Sequence, residues 1–342
     1  MAGIAPRGPR NVSRRRAMLL MATAAGLGLP RGGAAERDEV ASPIVDWRGS
    51  VLGAESRLLL AHPDRARARS AVEICMAEIA RLERVFSLYV AESELMRLNR
   101  EGRLMRPSLD LRLVMEEARR VSLASDGAFD VTIQPLWRLL ADYQSRSQSV
   151  PPKVLGAARR LIAFEGVEIG PNAVAFVRPG MAVTLNGIAQ GYITDRVADL
   201  LQDMGYDRVL VQLGETMALD PPVNRRGWRV AVPDPRAAEQ DLWALSLRHR
   251  AVATSSGLAL KFDAGGRHHH LLHAKTGVSP NHYLSVSVLG PRAMRADAMS
   301  TALFVLPRDA AASAMARLGG GEALFFHADG RTSRLEVKGF AA

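Results

Sequence analysis

The stretch Val183-Thr184-Leu185-Asn186-Gly187-Ile188-Ala189-Gln190-Gly191-Tyr192-Ile193-Thr194-Asp195-Arg196-Val197 decides how the chain is read. Two glycines stand four residues apart where an apolar run gives way to a helical pattern. Strand, glycine turn and helix is a common way to hold a phosphate. Upstream, Val174 to Leu185 reads as a strand broken at Pro179-Gly180; downstream, apolar residues at 193, 197, 200, 201 and 204 keep a helical period that Gly205 stops. Gly187 and Gly191 would let the backbone approach an anion closely, with a helix beginning near Ala189 aiming its free N–H groups and dipole at it. A tight turn packed in a core would look the same, and the turn by itself does not separate the two.

The rest of the chain mixes both patterns. Apolar residues at 72, 75, 76, 79, 82, 85 and 86 predict a helix over Ser70 to Phe86. A second is predicted over Ser108 to Ala124, with Ser108 as N-cap, Asp110 in its first turn and Gly127 just past its end. Strand patterns recur at residues 209–213, 228–232, 242–247, 283–289 and 323–327, interrupted by helical ones at 297–306 and 309–318. They do not alternate as βαβ units, so the expected fold is α+β, with mixed or antiparallel sheets and packed helices. Residues 36–342 read as one domain, with the polar loop Gln144–Lys153 the best candidate for an internal boundary.

A formal charge of +10 points at first sight to nucleic acid. Six of the arginines, however, precede Glu36 in a stretch without an acidic residue, and taking those six from ten leaves about +4 with no basic block. No nucleic-acid partner is expected. Those arginines belong to a leader over residues 1–35. Ser13-Arg14-Arg15-Arg16 is followed by an apolar stretch from Ala17 to Pro30, then by Gly32-Gly33-Ala34-Ala35, which suits signal peptidase. The Ser-Arg-Arg start and weak hydrophobicity resemble a twin-arginine signal, a route for proteins exported already folded. Roughly 14 apolar residues are too few to span a bilayer, so stable membrane insertion is not expected and the mature chain is assigned to the periplasm. The single cysteine, Cys75, rules out an internal disulfide and falls on the apolar side of its helix as core filler. No cysteine follows the apolar stretch, so the chain is not read as a lipoprotein.

Several standard catalytic motifs are missing. There is no G-x-x-x-x-G-K-[ST], no G-x-G-x-x-G outside the leader and no cysteine metal cluster. Ala253-Thr254-Ser255-Ser256-Gly257 resembles a nucleophile elbow, but alanine replaces the first glycine that the strained turn needs. Five of the eight histidines lie between His268 and His282. On a strand His268 and His270 would face one way and His269 the other, so one useful imidazole is expected rather than a three-histidine metal site. Asp297 and Thr301 are more informative, being four apart and hence on one face of a helix. A carboxylate and a hydroxyl so placed suit Mg²⁺. They equally suit an aspartate at a helix start with no ligand, and spacing does not choose.

Taken in order, these pieces resemble a known family. They are Phe86-Ser87-Leu88-Tyr89 with Leu98-Asn99, Ser125-Asp126-Gly127-Ala128-Phe129-Asp130, Leu185 through Tyr192 with Asp195, Gly214-Glu215, Ala253 through Gly257, His270 through Gly277, and Ala296-Asp297 through Thr301-Ala302. Over roughly residues 45–335 they resemble the ApbE-type FAD:protein FMN transferases. The resemblance implies the T-fold-like flavin transferase fold and an activity. FAD is bound, its pyrophosphate is broken with Mg²⁺, FMN is joined through a phosphodiester to a threonine hydroxyl of a target protein, and AMP leaves. By position, Asp297 and Thr301 are implied as metal ligands, with the backbone carbonyl of Gly187 as a third. Tyr89, the Gly127-Ala128-Phe129 turn, Thr184 and Gln190 are implied to line the flavin nucleotide, and Ser255 to belong to its pocket rather than act as a nucleophile. A base must take the threonine proton, and the neutral imidazole of His270 is the candidate.

Four positions depart from the pattern. Many members carry Asp where this chain has Thr184, Lys or Glu where it has Gln190, and Asp-Pro where it has His273-Ala274. The metal pair and the glycines are intact, so activity is expected to survive, with FAD recognition the open point. The expected acceptor is a periplasmic FMN-binding domain of a membrane electron-transfer protein, of the nitrous-oxide-reduction regulator type. Two other readings stay open: an FAD carrier or chaperone without transfer, and an FAD pyrophosphatase giving FMN and AMP.

Overall fold

The computed structural model describes residues 43–338 apart from 52 and 263–267. The leader expected over residues 1–35 lies outside the described residues. The chain begins with a hairpin, β1 (Ile44–Val51) and β2 (Ala54–Ala61), then α1 (Arg65–Phe86), α2 (Glu94–Glu101), β3 (Arg103–Met105) and α3 (Leu109–Ala124). A 3-10 turn at Val131–Ile133 leads into α4 (Gln134–Ser145) and α5 (Pro152–Arg159), then β4 (Val167–Ile169), β5 (Ala173–Phe176) and α6 (Ala189–Asp203). Five strands follow: β6 (Val209–Gln212), β7 (Thr216–Ala218), β8 (Trp228–Asp234), β9 (Ala237–Leu247) and β10 (Arg250–Ser256). The chain then runs through β11 (Tyr283–Gly290), α7 (Ala293–Val305), α8 (Arg308–Arg317), β12 (Gly321–His327) and β13 (Thr332–Val337).

Eight strands form one sheet in the order β1-β2-β6-β7-β10-β11-β12-β13, flanked by the smaller sheets β3-β5-β4 and β8-β9. Every described pairing is antiparallel, so the fold is α+β as the mixed pattern predicts. Alternation along the strands sorts residues to two sides. Leu58, Leu60, Val209 and Val211 join the core under the helices, whereas Leu59 and Leu210 meet Trp228, Val230 and Val232 of the β8–β9 hairpin. The large sheet is therefore covered by helices on one face and by a hairpin on the other. The segment Gln144–Lys153 spans the turn between α4 and α5, and Leu136 of α4 joins Phe262 and Leu272 in a satellite cluster.

Three boundaries differ from expectation for identifiable reasons. Helix α1 starts at Arg65 rather than Ser70, because the Asp64 carboxylate accepts from Ala66 N and Arg67 N at 2.9 and 3.0 Å and caps an arginine-rich first turn. The strand predicted over Val174 to Leu185 is shorter, ending at Phe176, with the chain turning at Gly180 (φ +86°). Residues 181–185 then join no sheet. The Asn99 side chain serves as their ladder, donating to Val183 O at 2.8 Å and accepting from Val183 N at 2.7 Å. Helix α7 begins at Ala293, one turn before the predicted start at Asp297, so Asp297 is not a helix-start residue.

Cys75 is fully buried on the inner face of α1, and burial pushes its thiol up to about 12. A thiol held that high stays protonated and unreactive. The folded protein should not react with a maleimide at neutral pH and should react once denatured; mass spectrometry after labelling in each state measures this.

Candidate active site

The site forms where the first turn of α6 meets the start of α7. Gly191 N–H donates to Asp297 Oδ2 at 3.0 Å. An anion does sit at this helix N-terminus, and it is the protein's own carboxylate rather than a ligand's phosphate. Gly191 itself serves packing. A Cβ there would collide with the Ala293 carbonyl oxygen and come within 2.7 Å of Met294 Cα. The absent side chain lets α7 approach α6 closely enough for the hydrogen bond. Asp195, one turn further along α6, accepts from Ala293 N at 2.8 Å and Met294 N at 3.0 Å. It caps α7 from a neighbouring helix, because Arg292 at the N-cap makes no side-chain cap of its own.

Burial dominates the electrostatics. It pushes Asp297 up to about 7, against the pull of the Gly191 N–H, with the charge of Asp195 adding to the rise. Glu215 is fully buried and raised well above the usual carboxylate range, first by burial and then by the charge of Asp297, while Thr254 N–H at 3.1 Å pulls it down. Both carboxylates line one pocket, and no lysine or arginine is among its described lining residues. Buried Asp130 lines it as well, and acids facing a common space without a counter-ion are an arrangement that a cation relieves.

Thr301 completes this wall. A Cβ on Gly187 would lie 2.9 Å from Thr301 Oγ1, so the glycine loop and the hydroxyl are in contact distance of one another. Ser300 Oγ donates to Asp297 O at 2.9 Å, and Ser255 Oγ lies 2.8 Å from Ser300 Oγ and 3.1 Å from Thr301 Oγ1. Each hydroxyl has one proton. Ser300 spends its proton on the carbonyl, so Ser255 must donate to Ser300 and Thr301 to Ser255. Thr301 is left presenting lone pairs to the pocket. The Ser255 hydroxyl is thus committed to orienting Thr301, which agrees with a pocket role rather than a nucleophilic one.

The remaining expected residues are distributed around this wall. Ala128, Phe129, Thr184, Gln190 and His270 all line the same pocket. Gly127 (φ +71°) forms the turn but borders a neighbouring groove, where a Cβ would meet Lys275 Cε at 3.2 Å. Tyr89 is 44% exposed and does not line the pocket. His270 Nδ1 is 3.2 Å from Leu260 O, and a carbonyl only accepts, so Nδ1 carries the proton and Nε2 the lone pair. Burial lowers its pKa to about 4. The other two histidines of the run go elsewhere: His268 is exposed, and buried His269 packs edge-on against Phe304 and lies 3.0 Å from Pro280 O. Among the described residues no three His, Cys, Asp or Glu side chains converge on a metal position. Sequence reasoning gave Glu215 no role, although a lone acid inside the apolar run Val209 to Leu219 was a usable signal. Trp137, which forms part of the apolar wall, carried no such signal.

The ApbE family model matches residues 52–325. The chain belongs to the ApbE family. Among curated relatives of this ApbE-family chain, FAD:protein FMN transferase of Haemophilus influenzae is 30% identical over 243 residues, covering 66% of this chain and 69% of that relative. The protein of the same name from Vibrio cholerae is 32% identical over 229 residues, covering 64% and 68%. Among solved structures, Pseudomonas stutzeri flavinyl transferase ApbE superposes with a TM-score of 0.77 at 26% identity, covering 88% of this chain and 97% of that one. Flavin transferase ApbE from Vibrio cholerae superposes at 0.73 and 24% identity, covering 86% and 97%, a likeness of fold.

The close approach at Gly191 gives a sharp expectation. Gly191→Ala should cost at least about 2 kcal/mol, because the obstacle is backbone that cannot rotate away. Denaturant unfolding should show the loss, and a variant as stable as the parent would mean that α6 and α7 are not packed as described.

Proposed function

We propose that this protein transfers FMN from FAD to a threonine hydroxyl of a target flavoprotein, using Mg²⁺ and releasing AMP. Family membership supports flavin transfer, and the observation that carries the finer reading is the wall formed by Asp297, Glu215 and Thr301. Its donors are all oxygen, and its two buried carboxylates lack a cationic neighbour among the described lining residues. That chemistry fits a hard divalent cation, which needs few protein ligands when a substrate phosphate supplies the rest. Asp297, Thr301 and the Gly187 carbonyl would hold it. Bound there, Mg²⁺ would neutralise charge on the pyrophosphate.

The chain's own residues supply positioning and proton handling. The Gly191 N–H orients Asp297, the Ser300–Ser255 relay orients Thr301, and Phe129 with Trp137 gives an apolar wall for a flat ring system. In the reaction the threonine oxygen bonds to the FMN phosphorus as the bond from that phosphorus to the bridging oxygen breaks, and AMP carries that oxygen away. His270, neutral at working pH with its lone pair on Nε2, takes the threonine proton. We place the reaction in the periplasm, after twin-arginine export. The acceptor there is an FMN-binding domain of a membrane electron-transfer protein of the nitrous-oxide-reduction regulator type. No helix among the described residues is long and apolar enough to cross a membrane.

Incubation with FAD, Mg²⁺ and an FMN-binding acceptor domain should give a fluorescent acceptor band on a denaturing gel together with free AMP. Asp297→Ala should reduce both by about a hundredfold or more, and His270→Gln should slow transfer by a similar factor. AMP without a band would replace this reading with a pyrophosphatase. FAD bound with neither product would replace it with a carrier.

A further inference from the structure

Gln190 stands in the first turn of α6 with only 7% of its surface exposed. Its Nε2 has no hydrogen-bond partner in the protein. A buried amide donor left unpaired is costly, and a ligand that supplies an acceptor removes the cost. The group is also held in place. Gly214 has φ +98°, and a Cβ there would approach both Gln190 Cδ and Nε2 to 3.0 Å. The left-handed backbone and missing side chain at Gly214 together make the slot in which the carboxamide lies. Gln190 lines the same pocket as Asp297, Glu215 and Thr301.

We propose that Gln190 Nε2 donates to a phosphoryl oxygen of the ligand's pyrophosphate, and that its neutrality makes anion binding here dependent on the divalent cation. The pyrophosphate itself comes from the flavin-transfer reading, on which this inference rests. The reasoning is one of charge. The carboxylates of Asp130, Glu215 and Asp297 share a pocket with a dianionic pyrophosphate, no lysine or arginine lines it among the described residues, and like charges in a low-dielectric space repel strongly. A lysine at position 190, as the resemblance places in many relatives, would cancel one negative charge without metal. It would also compete with the cation for Asp297. A glutamate would add a negative charge. Glutamine does neither: it keeps a donor for the ligand and leaves Asp297 to the metal.

Titration calorimetry on the full-length protein tests this with FAD and inorganic pyrophosphate as probes, each in Mg²⁺ and in EDTA. The parent should lose at least about tenfold in affinity on going from Mg²⁺ to EDTA, whereas Gln190→Lys should lose no more than about threefold. Gln190→Met, which keeps the volume and removes the donor, should weaken Mg²⁺-dependent binding roughly tenfold. Its melting temperature should be unchanged or higher, since the unpaired amide is gone. The proposal is overturned if Gln190→Lys is as sensitive to EDTA as the parent, or if Gln190→Met binds both probes as the parent does. A fall in both melting temperature and affinity for Gln190→Met also overturns it, by showing a packing role. Should Gln190→Lys not fold, the methionine variant still decides. Binding of pyrophosphate but not FAD, with this same metal dependence, would uphold the inference while removing the flavin-transfer reading.

Discussion

One hydrogen bond, from Gly191 N–H to Asp297 Oδ2, is the constraint on which the site depends. It exists because a glycine allows the backbones of α6 and α7 to meet without a Cβ between them, and because Asp195 clamps the first two N–H groups of α7. A helix N-terminus is a ready anion site. Here that capacity is used internally, to fix a carboxylate that would otherwise be free to rotate. The Gly191 amide is therefore committed to Asp297 and not to a ligand.

The second constraint is electrostatic. Burying Asp297 and Glu215 beside one another disfavours ionising both, and the N–H groups of Gly191 and Thr254 offset the cost only in part. A cation would relieve that cost here in a way that it would not at an exposed acidic cluster. The hydroxyl relay through Ser255 and Ser300 matters for the same reason. It consumes the Thr301 proton within the protein, so that the oxygen facing the pocket is an acceptor. Glycines at 187 and 214 then set the spacing, one against Thr301 and the other against Gln190.

Much of this was legible in the chain itself. The α+β class followed from the lack of βαβ alternation, and most helices and long strands fell within a turn of their predicted places. The sequence patterns did not predict the β1–β2 hairpin or the short helices α4 and α5, and the reach of one strand past Phe176 was overestimated. The last error is instructive. Residues 181–185 have a strand's composition, but Val183 pairs with the Asn99 side chain, 84 residues earlier, and Thr184 N–H with Val131 O, and no local pattern reports that. The early start of α7 has a similar cause, since its cap comes from Asp195, 98 residues away.

By itself the sequence determined what is periodic or adjacent: that Asp297 and Thr301 share a helix face, that a helix begins at Ala189, that Cys75 is core. These follow from steric rules acting over a few residues, which any chain of this order must obey. Only the tertiary structure decided that the Gly191 amide belongs to Asp297, 106 residues on, that Glu215 faces the same carboxylate, and that Gln190 is left without a partner. Such pairings depend on how sheet and helices pack. Packing is set by the sum of many buried contacts, so no single stretch of chain encodes it.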